Sequence, residues 1–470
     1  MADVPKHPED PEARHQRLAA LDRAHVWHPF TQMQTWIEPM PDDEPVIIDH
    51  ARGSWLFDTQ GRKYLDGVSS LWVNVHGHRR VELDSAVKLQ LNYAAHTTLL
   101  GLSSPPSIEL AAELVKRAPS VGLGANETGL TKVFYSDNGS TAVEVALKMA
   151  FQHWRQRGKP QKRKFVALSE AYHGDTLGAV SAGGMDLFHD IFRPLLFDVL
   201  RAPTPHAYRW PTGEKHCLEA AALAAESLIH GRRDEIAAVI VEPLMQGAAG
   251  MIAHPRGYLK RLARACKENG VLLICDEVAT GFGRTGTLFA CEQEEVVPDL
   301  LCLAKGLSGG YLPLAATMAT DAVYESFLGP FESKRTFFHG HSYTGNALAC
   351  ATGLASLRLF DEDRTLDNVR AMAERLALGL EQIAEHPHVG DVRRRGLMVG
   401  IELVKDKQSK EEYEYARRVG HQVCLAARRR EVMLRPLGNV VVLMPPLSIS
   451  AAEIDLLIEA TRDSIAEVCA

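Results

Sequence analysis

The chain has 470 residues, 46% of them hydrophobic and 24% charged, which excludes a disordered or fibrous protein and leaves room for two or three domains. A formal net charge of −7, with no basic block interleaved with aromatics, excludes the electrostatic footprint of a nucleic-acid binder. No apolar run approaches the ~18 to 20 residues of a membrane span, the start is polar without the apolar stretch of a signal peptide, and the dispersed cysteines lack Cys-x-x-Cys spacing, so a soluble cytoplasmic protein with buried thiols is expected.

In chain order, a helix is expected near Arg17 to His25. Val26 to Met33, interrupted by Pro29, reads as a loop packed against its surroundings. Residues 46–66 alternate apolar and polar positions around Gly53 and Gly61 and predict a β-meander. His76 and His78 lack a carboxylate or cysteine at ligand spacing, so no metal is expected there. After an amphipathic helix over 107–118, Lys132–Ser136 reads as a strand, Asp137–Thr141 as its break, and Ala142–Gln156 as a helix opened by a capping box between Thr141 and Glu144. Strand, glycine-containing turn and helix start make a phosphate cradle, because the first helical N–H groups and the positive dipole end face the turn. Ser140 and Thr141 add hydroxyls.

A strand at Lys164–Leu168 leads to Tyr172, whose ring suits stacking on a planar ligand. A helix over 218–230 precedes a strand at Ala237–Val241 that exits at Glu242; a helix over 257–268 precedes a strand at Val271–Cys275 that exits at Asp276 and Glu277. This regular exchange predicts an α/β fold, a mainly parallel sheet with helices on both faces. The Gly281-x-Gly283-x-x-Gly286 match that follows opens no clear amphipathic helix. The position ~20 residues on is occupied by Lys305 and Gly306 instead of an acid, so a nicotinamide site is rejected. The apolar run from Pro298 ends in Lys305 and a glycine-rich turn, and Arg335–Asn346 is a turn-rich loop before a helix from Ala347 to Leu359. Beyond it come helices near 366–385, a strand at Leu397–Leu403, a helix over 411–430, a β segment at 440–444 and a last helix from 451, a smaller α+β domain. Arg393–Arg395 and Arg428–Arg430 read as short solvated clusters.

An amine and a carboxylate leaving neighbouring strand ends have a specific chemical use. A lysine holds pyridoxal phosphate covalently while a carboxylate keeps the pyridine nitrogen protonated, which makes the ring an electron sink.

Five segments in this order resemble the class III, fold-type I, pyridoxal-phosphate-dependent aminotransferases: Ser136–Ser140, Tyr172–Asp175, Asp276–Gly286, Leu303–Gly306 and His341–Asn346. Within that family the chain is similar to the 7,8-diaminopelargonate synthases of biotin biosynthesis in Trp27–Met33, Gly67–Trp72, Arg435–Gly438 and Leu443–Pro446. The resemblance implies a large domain over 69–364, a small domain over 365–470 and an N-terminal segment over 1–68 joined to the small one. It implies that Lys305 is the catalytic amine, Asp276 the partner of the pyridine nitrogen, Tyr172 the stacking ring, and Gly139 with Ser140 the phosphate site. His341 and Ser342 would complete the phosphate site of the neighbouring subunit, which implies a homodimer. Phe30, Leu71, Trp72, Tyr172 and Gly340 would line the substrate pocket, and Arg435 would take the distal carboxylate of 8-amino-7-oxononanoate. Relatives using S-adenosylmethionine carry Tyr in place of Phe30 and Trp in place of Leu71, so the pattern looks more like the branch that uses L-lysine. The alternative is an ω-amino acid transaminase using pyruvate or 2-oxoglutarate; an aminomutase needing no external donor is the further rival. No metal is expected.

Overall fold

The computed structural model describes residues 8–39, 43–120 and 129–470, so the polar start over 1–7 lies outside the described residues. Its centre is a seven-stranded sheet in the order Leu130–Ser136, Ala315–Thr320, Leu300–Leu303, Leu272–Asp276, Ile236–Val241, Lys164–Leu168, Leu200–Ala202. Ile236–Val241, Leu272–Asp276 and Leu300–Leu303 are buried at every position, as strands covered by helices on both faces must be. Ala315–Thr320 runs antiparallel to both of its neighbours, and the remaining pairings across the sheet are parallel. Consequently the ends of Leu130–Ser136, Leu300–Leu303, Leu272–Asp276, Ile236–Val241 and Lys164–Leu168 open on one edge, where α/β sheets place their ligands.

A four-stranded sheet joins the ends of the chain: the meander Ile48–Arg52, Trp55–Asp58, Lys63–Asp66 is extended by Val432–Met433, which pairs in parallel with Leu65 and Asp66. The C-terminal part adds a third sheet of Val389–Arg395, Met398–Asp406, Val440–Leu443 and Arg435–Leu437, with Glu411–Glu412 on its edge. The predicted fold class holds, with four local corrections. The long helix after Ser136 begins at Gly139, and its cap is the Asn138 side chain accepting from the Thr141 amide at 3.1 Å. Thr141 is therefore the third helical residue, and its hydroxyl points back to the Asn138 amide. The helix expected over 411–430 starts only at Val419, because Glu411–Glu412 pairs with Val404 and Asp406. Trp27 is 88% exposed, so the segment around Pro29 is less packed than its apolar composition predicts.

Fourth, Arg393 is not solvated. It lies on a buried strand face, where its guanidinium donates to Asp391 at 2.9 Å, to Glu402 and to the Gly250 carbonyl at 2.8 Å. His206, Asp391 and Glu402 bring ligand atoms within 4.8 Å of one another, but that cluster surrounds the Arg393 charge. Removing one partner of a buried ionic group is expensive because the others stay desolvated. Arg393→Leu is therefore expected to destabilise the protein by about 3 to 5 kcal/mol, visible as a lower calorimetric midpoint; an unchanged midpoint would show that the network is solvated after all.

Candidate active site

Asp276 closes its strand directly beside Cys302, three residues before Lys305 on the adjacent strand. Side chains alternate across a sheet, so Asp276 and Glu277 leave on opposite sides. The Glu277 carboxylate is wholly buried and accepts the Ala290 and Cys291 amides at 2.6 and 2.8 Å, pinning the loop behind the sheet; burial raises its pKa to about 7. Asp276 faces the strand-end edge. Its Oδ2 meets Nδ1 of the buried His173 at 2.7 Å and its Oδ1 accepts the Val278 amide at 3.1 Å.

Lys305 has φ 45°, left-handed backbone that costs a non-glycine residue about 1 to 2 kcal/mol. Gly306 makes the bend possible: a Cβ there would stand 2.8 Å from the Phe282 Cβ. The Lys305 amine lies 5.1 Å over the Trp72 ring and donates to no acceptor among the described residues. Burial lowers its pKa, against the pull of the nearby Asp276 and Glu242 carboxylates. A half-buried amine with no acceptor among the described residues, beside a buried carboxylate, is an arrangement that a structural role does not require.

The helix starting at Gly139 supplies the cradle. Asn138 takes the Thr141 amide, and the amides of Gly139 and Ser140 meet no acceptor among the described residues. A Cβ on Gly139 would stand 2.5 Å from Val278, so only glycine leaves this turn open. Thr176 donates its amide to the Ser140 hydroxyl at 3.0 Å and its own hydroxyl to Glu144 at 2.6 Å, tying the cradle to the loop after Tyr172.

Tyr172 is held at both ends. Its amide donates to Glu242 at 3.1 Å, and its hydroxyl donates to Asp175 at 2.7 Å. The other Glu242 oxygen accepts the Gly247 amide at 2.9 Å. Trp72, Tyr172, Met245, Ala248 and Met251 form one apolar cluster beside the amine. Phe30, with φ 51°, reaches Tyr172 through Phe188: the rings of Phe30 and Phe188 are 5.5 Å apart, and Phe188 stands edge-on to Tyr172 at 6.4 Å.

The structure thus brings together Lys305, Asp276, Tyr172, Trp72, Gly139 and Ser140, with Phe30 at one wall. Leu71 is exposed beside Trp72, and Arg435 lies opposite Val442, itself in the Trp72 cluster. No carboxylate pairs with Arg435 among the described residues. Gly340 is exposed, and His341 stands 3.6 Å from Asp137 of its own chain, while the Ser342 carbonyl accepts from His96 at 2.8 Å. Sequence reasoning assigned no role to Glu242, His173, Val278, Thr176 or Phe188. The first two were visible as polar residues at strand exits, whereas nothing in the local pattern singles out Phe188.

These groups fit pyridoxal phosphate. The free Gly139 and Ser140 amides suit its phosphate, the buried Asp276 its ring nitrogen, and the unpartnered Lys305 amine its aldehyde carbon.

Burial raises the Glu242 pKa to about 7. The folded protein then holds a proton on Glu242 where the unfolded chain, near 4.5, has lost it, so stability falls as pH rises between those values. The melting temperature of Glu242→Gln relative to the parent should therefore climb from about pH 5 to about pH 8. A pH-independent offset would contradict the shifted carboxyl.

Comparison with known proteins agrees with this geometry. The family model for class III aminotransferases matches residues 38–465. The chain is 56% identical over 460 residues to the adenosylmethionine-8-amino-7-oxononanoate aminotransferase of Nitratidesulfovibrio vulgaris, covering 97% of this chain and 83% of that one. It is 50% identical to the enzyme of that name from Geobacter sulfurreducens, covering 97% and 98% of the two chains. The crystal structure of the Methanocaldococcus jannaschii protein of the same name superposes with a TM-score of 0.89 at 45% identity, covering 97% and 99%. An (S)-enantioselective ω-transaminase from Thermomicrobium roseum superposes with a TM-score of 0.90 at 35% identity, covering 96% and 98%. The chain belongs to the class III aminotransferases, enzymes that work with pyridoxal phosphate.

Proposed function

We propose that this aminotransferase transfers an amino group to the ketone of 8-amino-7-oxononanoate, giving 7,8-diaminononanoate for biotin synthesis. The observation that carries the reading is the unpartnered Lys305 amine beside the buried Asp276, in a chain about half identical to enzymes named for that acceptor.

Pyridoxal phosphate, when bound, supplies the electron sink that stabilises negative charge left on the substrate carbon. Lys305 Nζ is the base that takes the proton from the amine-bearing carbon of the donor and delivers one to the carbon that receives the amine. Burial lowers its pKa and so favours the neutral, proton-accepting form. His173 orients Asp276, which holds positive charge at the ring nitrogen. Tyr172 would stack on the cofactor ring, and the Gly139 and Ser140 amides would hold its phosphate. Arg435, which pairs with no carboxylate among the described residues, takes the distal carboxylate of the acceptor through its planar fork.

Two donors compete. The relatives are named for adenosylmethionine. Phe30 and Leu71, by contrast, leave the pocket wall without the hydroxyl and indole of the adenosylmethionine-using pattern, which favours L-lysine. Phe30, Leu71, Trp72, Tyr172 and Gly340 form the walls in either case.

The proposal extends to assembly and compartment. His341 and Ser342 lie on a loop beside the cradle helix, with His339 2.8 Å from Lys148, and we place them at the phosphate site of a second subunit in a homodimer. The domain limits proposed are 1–68, 69–364 and 365–470; the pairing of Val432–Met433 with Leu65–Asp66 supports joining the first segment to the last. Eight free buried cysteines favour the cytoplasm, and no described helix is long and apolar enough to cross a membrane.

Incubation with 8-amino-7-oxononanoate and either donor should yield diaminononanoate. No product from either removes the acceptor assignment, and the donor that supports turnover decides between the two. Arg435→Ala should raise KM for the oxononanoate at least about tenfold while cofactor absorbance is retained; equal loss of both contradicts its role.

A further inference from the structure

Tyr172 is tethered along one axis only. Its backbone and its hydroxyl, the groups bound by Glu242 and Asp175, lie at the two ends of the line through the ring, so neither fixes the tilt of the ring about that line. A side chain that stacks on a planar ligand must present a defined plane. What packs beside the ring decides that plane.

The neighbours are Phe188 and His189, the last two residues of the short helix Asp186–His189. The His189 ring runs within 13° of parallel to Tyr172, with centroids 6.3 Å apart. Phe188 stands edge-on to both, 6.4 Å from Tyr172 and 6.3 Å from His189. His189 is 5% exposed, and neither of its ring nitrogens has a hydrogen-bond partner among the described residues. Unpaired buried polar atoms call for an explanation, and shape supplies one. Gly183 has φ −66° and ψ 151°, backbone that any residue adopts, yet a Cβ there would stand 2.4 Å from His189 Cε1 and 2.9 Å from Nδ1. Glycine is therefore required at this position by the ring, not by the turn, and the imidazole is seated against bare backbone.

The seat itself is fixed. Arg201, on the edge strand Leu200–Ala202, donates to the carbonyls of Ser181 at 2.8 Å, Ala182 at 2.6 Å and Gly183. Gly184 donates its amide to the Ala171 carbonyl at 2.7 Å, and a Cβ on Gly184 would stand 1.9 Å from the Ser169 carbonyl oxygen. The turn before the helix is thus joined to the residue that precedes Tyr172, so a short closed path of contacts sets the imidazole relative to the tyrosine.

We propose that His189 is a positioning residue for the reaction, a flat spacer that sets the plane Tyr172 presents to the cofactor. A benzyl side chain in its place would reach further toward Gly183, and an aliphatic one has no plane to impose. Burial lowers the pKa of the imidazole, against the pull of the Asp175 and Asp186 carboxylates, which favours the uncharged ring that a spacer needs. No hydrogen bond among the described residues competes for the ring, so its orientation follows from Gly183, Phe188 and Tyr172 alone. His189 acts through Tyr172.

The inference rests on Tyr172 as the ring that stacks on the cofactor, and the test separates the two. The parent, Tyr172→Ala, His189→Ala and the double variant are compared by the visible circular dichroism of the holoenzyme and by the dissociation constant for pyridoxal phosphate. Tyr172→Ala should change the dichroic band and weaken binding at least about tenfold; an unchanged band and constant sink the stacking assignment, and this proposal with it. His189→Ala should weaken binding about fivefold and lower the band. In the Tyr172→Ala background the same substitution should change binding less than about twofold and leave the band where Tyr172→Ala put it. Multiplicative effects on binding, or an unaltered band in a folded His189→Ala, overturn the proposal and leave the stacking assignment intact. Should His189→Ala not fold, Gly183→Ala, whose added methyl group meets the imidazole first, enters the same cycle with the same expected non-additivity.

Discussion

The side-by-side register of Asp276 with Cys302 is the constraint from which the rest of the site follows. Because Leu272–Asp276 and Leu300–Leu303 are parallel neighbours, their exits release a carboxylate and, three residues on, an amine over the same edge. Ile236–Val241, on the other side of Leu272–Asp276, adds Glu242 by the same logic. A slip of one residue would turn Asp276 away and bring Glu277 to the site, leaving the Ala290 and Cys291 amides without their acceptor. The two adjacent acids are thus held in opposite roles by one strand.

Around that register the molecule keeps an unusual amount of polar chemistry out of water. Glu242, Glu277, His173, Asp276 and Arg284 are all buried, and each except Arg284 is matched by an amide or by another titratable side chain. Arg284 is matched by a hydroxyl and carbonyls, an arrangement that ties the Trp72 turn to the C-terminal sheet. Glu242 links Tyr172 to Gly247, and Arg393 links Gly250 to Glu402. The site is therefore fastened to the C-terminal part of the chain at two places.

Much of this was legible in the residues. The strands ending at Leu168, Val241, Asp276 and Leu303 announce themselves as apolar runs with polar exits, and the family motifs sit at those exits. Ala315–Thr320 escaped because Ala-Ala-Thr-Met-Ala-Thr has neither alternation nor bulky β-branched residues, although it is an inner strand of the sheet. The Arg393 cluster misled because three successive arginines look solvated; the strand alternation and the distant Glu402 that bury the first of them are properties of the fold. Phe188 and the Arg284 clamp depend on contacts across long separations in the chain, which no local pattern encodes. The glycine-rich match after Asp276 lies in a chain that belongs to the class III aminotransferases, and the contacts of its arginine with the Asn74 and Pro445 carbonyls form only in the folded turn.

The most direct test of the account is chemical. Reduction of the pyridoxal-phosphate-loaded protein with borohydride, followed by peptide mapping, should place a single stable pyridoxyl adduct on the peptide containing Lys305. An adduct on another lysine, or none on a protein that has taken up the cofactor, would contradict the central claim that this strand end presents the reacting amine.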